Sequence, residues 1–402
     1  MILTDRFFPE EFIINDLVME LKKAGFSMEV LTQQPSYPYG NIKRFKGYKN
    51  KFFTKTDWNG IPVFRIFTIQ GYKSSTFLKV LHYIHFALMC SMVLLVKGGK
   101  YSKIFIAQTG PLTQALPAVL SKKIHRNELI IWTLDLWPDA VYAFGFKKNS
   151  LLVSMLNFIV RSVYSNMDAI AVSSAAFMER IKEYAPAKSV QFIPQWSEIQ
   201  SNKQQSSVEL NQNHLNFSFA GNIGSSQNLE RIISGFQLAK KECPGIILNI
   251  FGDGNNLENL KSLVISQNIP DVIFWGRLPQ SEMYSVLSQS DVLLISLRPD
   301  PLFEMYIPLK FPAYLSVGKP IFAVMSGEVE KLVHQYKVGI VADPADINSI
   351  ADGFKAFTRV NDNDFMIFAE NSKVLSESLF NKERIISSFK ALLTSLNKEM
   401  VA

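Results

Sequence analysis

The residues whose types and spacing most invite chemistry lie in Ile307–Ala323, where Lys310 opens an apolar segment that closes on Val317, Gly318 and the pair Lys319-Pro320. Asp291–Ser296 upstream reads as a buried strand, Lys310–Val317 as one helix stopped by Gly318, and Pro320–Val324 as the next strand. A helix that starts beside the carboxyl end of a parallel strand presents unpaired N–H groups and a positive dipole end to an anion. A lysine in that first turn costs on the order of a few tenths of a kcal/mol. Its presence there points to a phosphate ligand, with a solvated surface lysine as the plainer alternative.

Two other clusters carry chemistry. Asp135-Leu-Trp-Pro-Asp139 follows the strand Leu129–Leu134, so both carboxylates should stand at a strand's carboxyl end, with Pro138 opening the next helix. Both carboxylates would then stand at a cleft rim, with Asp139 a candidate to meet an acceptor or simply to complement a helix dipole as a first-turn acid. Gly221-Asn222-Ile-Gly224 follows the strand Leu215–Ala220 and precedes a helix over Asn228–Lys241, where glycines let backbone approach a diphosphate. Gly252-Asp-Gly254 repeats the pattern after Ile247–Phe251, and Arg277 ends the strand Val272–Gly276, where it could stack on a base, hold a phosphate or lie on the surface.

These positions require strands to aim them. At 402 residues the chain exceeds one ordinary core, and two α/β domains are expected, 1–200 and 201–384, with a Gln/Ser/Asn-rich linker over 199–213. The first opens with a strand stub at Met1–Leu3, a helix over Asn15–Lys23 stopped by Gly25, and a strand at Met28–Leu31. Glu10 and Glu11, in the loop after the first strand, are candidates to meet an acceptor hydroxyl or to serve as first-turn helix acids. Two successive doubly wound domains imply a ligand cleft. No Walker lysine motif, dinucleotide Gly-x-Gly-x-x-Gly, nucleophile elbow or zinc helix competes.

Charge is uneven: residues 1–200 hold 24 Lys and Arg against 14 Asp and Glu, residues 201–402 hold 18 against 21. The basic half should face something anionic, and with no nucleic-acid-binding signature a membrane surface fits better than nucleic acid. Lys43, Arg44, Lys46, Lys49, Lys51 and Lys55, interleaved with Phe45, Tyr48, Phe52 and Phe53 and with no acid in 41–56, read as a membrane-docking loop or a solvated charged insertion. Val80–Val96 is the most apolar run, about 26 Å as a helix, and suits a buried helix or one lying on a bilayer better than a span. Its two histidines, His82 and His85, read as helix-face residues rather than metal ligands. Cys90 and Cys243 read as reduced core residues of a cytoplasmic protein, and no signal peptide is expected at Met1–Thr4.

The string Pro308-x-Lys310-x-x-x-Tyr314-Leu315-x-x-Gly318-Lys319-Pro320 resembles the donor-site segment of the retaining nucleotide-sugar glycosyltransferases of the GT-B fold, the glycosyltransferase group 1 family. Asp135-Leu-Trp-Pro-Asp139 and Ile193-Pro-Gln-Trp196 are similar to strings of its O-antigen and capsule branch, which includes N-acetyl-L-fucosamine transferases. That resemblance implies two Rossmann-like domains facing across a cleft, with the last helix, from about 385, crossing back to the first. It also places Gly221, Asn222, Gly224, Gly254, Arg277, Arg298, Lys310, Tyr314 and Leu315 at the donor. The family's two glutamates fall here on Met305 and Ala313, and its usual diphosphate ligands after the glycine loop are reduced to Arg231 and Lys240, which shifts that role to Lys310 and Arg298. The first strand looks clipped beside the family. The implied reaction moves a sugar from a nucleoside diphosphate sugar, UDP-linked by expectation and GDP-linked otherwise, to a polyprenyl-diphosphate-linked saccharide at the inner face of the bacterial plasma membrane. Lys310 and Asp135 would be catalytic, and no metal and no cofactor would be needed. A nucleotide-sugar epimerase and an inert scaffold subunit of the same fold are the alternatives.

Overall fold

The structure, a computed structural model, describes residues 1–143, 150–196 and 206–395. The 199–205 part of the expected linker lies outside the described residues. The chain forms two compact units, Met1–Pro194 with Glu383–Ala402, and Gln195–Lys382.

The first unit is built on eight strands: β1 (Ile2–Leu3), β2 (Val30–Gln33), β3 (Phe53–Trp58), β4 (Ile61–Ile66), β5 (Lys103–Gln108), β6 (Glu128–Thr133), β7 (Ala169–Val172) and β8 (Val190–Phe192). They lie in the order β3-β4-β2-β1-β5-β6-β7-β8. All neighbours are parallel except β3 and β4. Leu129, Ile130, Ile131 and Trp132 of β6 are fully buried, as a parallel strand covered on both faces requires. Phe389 of the C-terminal helix Lys382–Ser395 meets the Trp132 ring edge-on at 4.8 Å and the Phe105 ring at 5.9 Å, which ties that helix to this sheet.

Two expectations need correction here. Residues 41–56 are not one loop, because Phe53 and Lys55 belong to β3, the edge strand of a hairpin closed by Asn59 (φ 52) and Gly60 (φ 72). Two consecutive left-handed residues make the tight turn whose twist matches paired strands, and Asn-Gly is its sequence signature. The apolar helix is also longer than its densest run. It spans Thr76–Lys97, with Lys79 in its first turn. At about 33 Å it is long and apolar enough to cross a bilayer by length and composition. One stripe of it, His82, Phe86, Met89, Cys90 and Leu94, is nevertheless packed into the unit.

The second unit holds β9 (Leu215–Ala220), β10 (Ile246–Phe251), β11 (Val272–Gly276), β12 (Val292–Ser296), β13 (Ile321–Val324) and β14 (Gly339–Val341), all parallel, in the order β11-β10-β9-β12-β13-β14. Phe217, Phe236, Phe322, Phe354 and Phe357 form an edge-to-face aromatic core beneath it. Each such ring contributes about 2 kcal/mol by leaving water. In both sheets the chain builds one flank and then returns to build the other, so the switch points fall between β1 and β5 and between β9 and β12. Ligands of doubly wound sheets bind outside the strand ends at such points.

Candidate active site

In the second unit the switch point is occupied by Lys310. It opens the helix Lys310–Val317, which ends at Gly318 in the left-handed conformation (φ 73), as its sequence demands. The ammonium donates to Gln227 Oε1 at 2.6 Å and lies 3.8 Å from the centre of the Phe219 ring. A Cβ on Gly221 would stand 2.4 Å from its Cε and 2.9 Å from its Nζ, so the lysine lies directly on the glycine loop. Among the described residues no carboxylate pairs with it. Burial pushes its pKa down from 10.5 to about 7. A half-buried amine whose neighbours are all neutral is held in its charged form by an anion brought beside it, and a diphosphate is the anion this loop can approach.

The loop itself rests on backbone packed against backbone. A Cβ on Gly252 (φ 135) would lie 1.8 Å from the Gly221 carbonyl oxygen, and one on Gly254 would lie 2.3 Å from that of Ile223. The N–H groups of Gly221 and Ile223 donate to the carbonyls of Phe251 and Asp253, both at 2.9 Å. Those two donors are engaged, whereas the N–H groups of Asn222 and Gly224 have no backbone acceptor among the described residues and are open to a ligand. A cavity of about 390 Å3 opens beside them, lined by Gly221, Asn222, Phe251, Gly252 and the exposed Arg277. Arg298 follows β12; its N–H donates to Ser226 O, and its guanidinium sits 5.4 Å over Phe303 and 3.9 Å from Asp300.

Two donor candidates stand elsewhere than expected. Tyr314 is buried, and its hydroxyl accepts from Ala220 N–H at 2.7 Å and donates to Ala220 O at 3.0 Å. Leu315 is entirely buried. Both face the core, because a helix laid on a sheet must turn its apolar side inward. Tyr314 thus fixes the strand end from which the glycine loop departs. Arg231 donates to Pro344 O, and Lys240 pairs with Asp271 at the amino end of β11, so neither serves the loop.

In the first unit the acid candidates separate. Gln108 donates from Nε2 to Asp135 O at 2.8 Å, fixing the half-buried Asp135 at the end of β6. Beside it Thr109 Oγ1 donates to Asp5 Oδ1 at 2.5 Å, which brings a carboxylate that sequence reasoning passed over to the switch point between β1 and β5. Asp139 is taken by Arg180, which donates to both its oxygens at 2.9 and 3.1 Å. The Trp137–Pro138 peptide is cis and the helix begins at Asp139, so Pro138 lies before that helix rather than opening it.

Glu10 is buried, and its Oε1 accepts from the N–H groups of Ser36 (2.7 Å) and Tyr37 (2.6 Å). Burial pushes that carboxyl up against the pull of Arg6 and the two N–H groups. It pins the loop after β2 and is closed to an acceptor. Glu11 is exposed just ahead of the helix Ile13–Lys23. Lys43, Arg44, Lys46, Lys49, Lys51 and Phe52 are all exposed, and so is Phe53, whose ring stacks on Phe64 at 5.8 Å.

Residues 200–373 match the family model described as glycosyl transferases group 1. The protein is a glycosyltransferase of the GT-B fold. This glycosyltransferase is 24% identical over 270 residues to the Pseudomonas aeruginosa protein named "Probable glycosyltransferase WbjE", covering 64% of this chain and 67% of that one. It is 21% identical over 358 residues to WcaI of Escherichia coli (strain K12), whose name places it among colanic acid biosynthesis glycosyl transferases, with 85% and 86% covered. Among solved structures it is similar to Anabaena Alr3699/HepE in complex with UDP, with a TM-score of 0.68 at 14% identity over 98% of this chain and 99% of that one.

Proposed function

We propose that this glycosyltransferase retains anomeric configuration and moves a sugar from a UDP-linked donor to a polyprenyl-diphosphate-linked saccharide during O-antigen or capsule assembly. The observation that carries the reading is the Lys310 ammonium resting on Gly221 with no carboxylate partner among the described residues. When the anomeric C–O bond breaks, negative charge grows on the departing diphosphate, and a preorganised cation with the Asn222 and Gly224 N–H groups stabilises it where it forms. Arg277, at the rim of the 390 Å3 cavity, suits the nucleobase or a phosphate. Asp135 takes the acceptor's proton or stabilises positive charge on the sugar. UDP is favoured over GDP because the Anabaena relative of the same fold is a UDP complex.

Peripheral attachment to the inner face of the plasma membrane is supported by two exposed features of the first unit. The cations from Lys43 to Lys51 are exposed beside Phe52, with Arg44 over the Tyr39 ring, and the outer stripe of Thr76–Lys97 shows Phe77, Ile84, Leu88 and Met92 to solvent. Each cation near an anionic leaflet contributes about 1 kcal/mol.

A thermal-shift comparison tests the donor. UDP at a hundred times its dissociation constant should stabilise the protein by about 2.7 kcal/mol, with GDP giving less at equal concentration. No shift with either nucleotide would remove the donor assignment and favour an inert scaffold. Conversion of a UDP-sugar in the absence of any acceptor would favour an epimerase.

A further inference from the structure

We propose that the diphosphate of the lipid-linked acceptor is received in the first unit by Lys73 and Arg6 at the Tyr37 ring and by Lys79 in the first turn of the Thr76–Lys97 helix, with the isoprenoid chain laid on the outer stripe of that helix. This rests on the reading above that the acceptor is a polyprenyl diphosphate, and it names the side chains that hold it.

Three observations converge. Arg6 Cζ and Lys73 Nζ lie 4.7 and 4.8 Å from the centre of the Tyr37 ring, so one aromatic face system gathers two cations. The Lys73 stem is laid against Gly40, where an added Cβ would meet its Cγ at 3.3 Å, so the ammonium is positioned rather than free to roam. Among the described residues neither Lys73 nor Lys79 has a carboxylate partner, whereas Arg6 is paired with Asp5 at 3.3 Å and receives Glu10 at 3.9 Å. Burial, and then the charges of Arg6 and Lys79, pull the Lys73 pKa below its usual value. A dianion beside Lys73 and Lys79 would offset the like-charge part of that pull.

The same place begins a single apolar track. Phe77, Leu81, Ile84, Leu88 and Met92 recur every three or four residues along the helix and are all exposed, Phe77 at 74%. The opposite face of that helix carries His82, stacked on Tyr72 at 4.2 Å, and Tyr83, which lines a small cavity with Asp5. The Tyr83 phenol is pushed up by burial and by the nearby carboxylates of Asp5 and Asp135. An acceptor anchored at the helix start by its diphosphate would therefore carry its saccharide toward Asp5 and Asp135. Two unpaired ammonium groups at one end of one apolar track match a dianionic head on one hydrocarbon chain. The cations from Lys43 to Lys51, spread along an exposed segment, suit a lipid surface instead.

The test titrates farnesyl diphosphate into the full-length protein in neutral detergent micelles, in wild-type and Lys310→Gln backgrounds so that the donor's diphosphate site is not the one read. The double variant Lys73→Gln/Lys79→Gln should bind farnesyl diphosphate about a hundredfold more weakly, about tenfold for each charge-assisted hydrogen bond removed. Its affinity for farnesol, for UDP and for phosphatidylglycerol vesicles should stay within about twofold of the parent. Unchanged farnesyl diphosphate affinity overturns the proposal, and so does an equal loss of vesicle binding, which would make the cluster a general lipid-surface patch. Both substituted side chains are exposed, and an unaltered melting curve checks the fold. The UDP arm separates the two claims. Loss of UDP binding in the wild type would sink the donor assignment alone, and the lysine result would still decide this one.

Discussion

Lys310→Ala reduces turnover at saturating donor by at least about a hundredfold and leaves the protein folded. Removing one preorganised donor to a developing anion typically costs two to three powers of ten, about 3–4 kcal/mol of transition-state stabilisation. No comparable structural loss is expected, because the ammonium's only side-chain hydrogen bond among the described residues is to Gln227 and its burial opposes the charged form. The pH dependence fixes the sign. In the folded protein Lys310 titrates near 7, and in the unfolded chain near 10.5. Between those values the unfolded state binds more protons, so the ligand-free protein gains stability as pH rises from about 7 toward 10.5. Lys310→Gln should flatten that part of the stability profile. A variant that keeps wild-type kcat would take the residue out of the mechanism, and one that melts far below the parent would make the lysine structural.

Gly252→Ala should have the larger effect on the fold of the donor unit. The added Cβ would fall 1.8 Å from the Gly221 carbonyl oxygen, a backbone atom that cannot rotate away, at a φ of 135 that side chains rarely adopt. Relief requires the loops after β9 and β10 to part, which breaks the Gly221–Phe251 and Gly252–Gly276 backbone bonds at 2.9 and 2.7 Å. Strain plus two broken buried bonds amounts to about 3–5 kcal/mol. Urea unfolding should show a lower midpoint, and UDP binding should be lost even where the protein remains folded. Gly25→Ala, with nothing within 4 Å of the added Cβ, is the comparison, and it should leave UDP binding untouched. Equal effects at the two positions would show that close packing of the two loops is not what shapes the site.

Local signals carried much of the fold into the sequence. Lys310–Val317 is legible as a helix because Gly318 ends it and Pro320 cannot continue it, and Leu215–Ala220 as a strand because the alternating apolar residues Leu215, Phe217 and Phe219 run into glycine. The hairpin of β3 and β4 was legible too, through Asn59-Gly60, but the dense lysines around it read more strongly as a loop. What the sequence hides is direction over long separations. Tyr314 and Lys310 lie on one short helix, yet one points into the core to bond Ala220, 94 residues away, and the other onto Gly221. Glu10 and Glu11 are adjacent, yet the first is buried under the loop at Ser36 and the second is exposed. Gln227, whose Oε1 accepts a hydrogen bond from Lys310, carries no mark in one dimension, and Asp5 becomes a candidate only when β1 and β5 pair and set Thr109 beside it.

Proton uptake on nucleotide binding tests the central claim most directly. UDP titrated calorimetrically at about pH 8.5 in two buffers of different ionisation enthalpy reports protons taken up with the ligand. Lys310 is mostly neutral there before binding and charged afterwards, so wild type should take up about one proton per UDP and Lys310→Gln none. UDP binding with no proton uptake in the wild type, or with the same uptake in the variant, would contradict the assignment of Lys310 to the diphosphate.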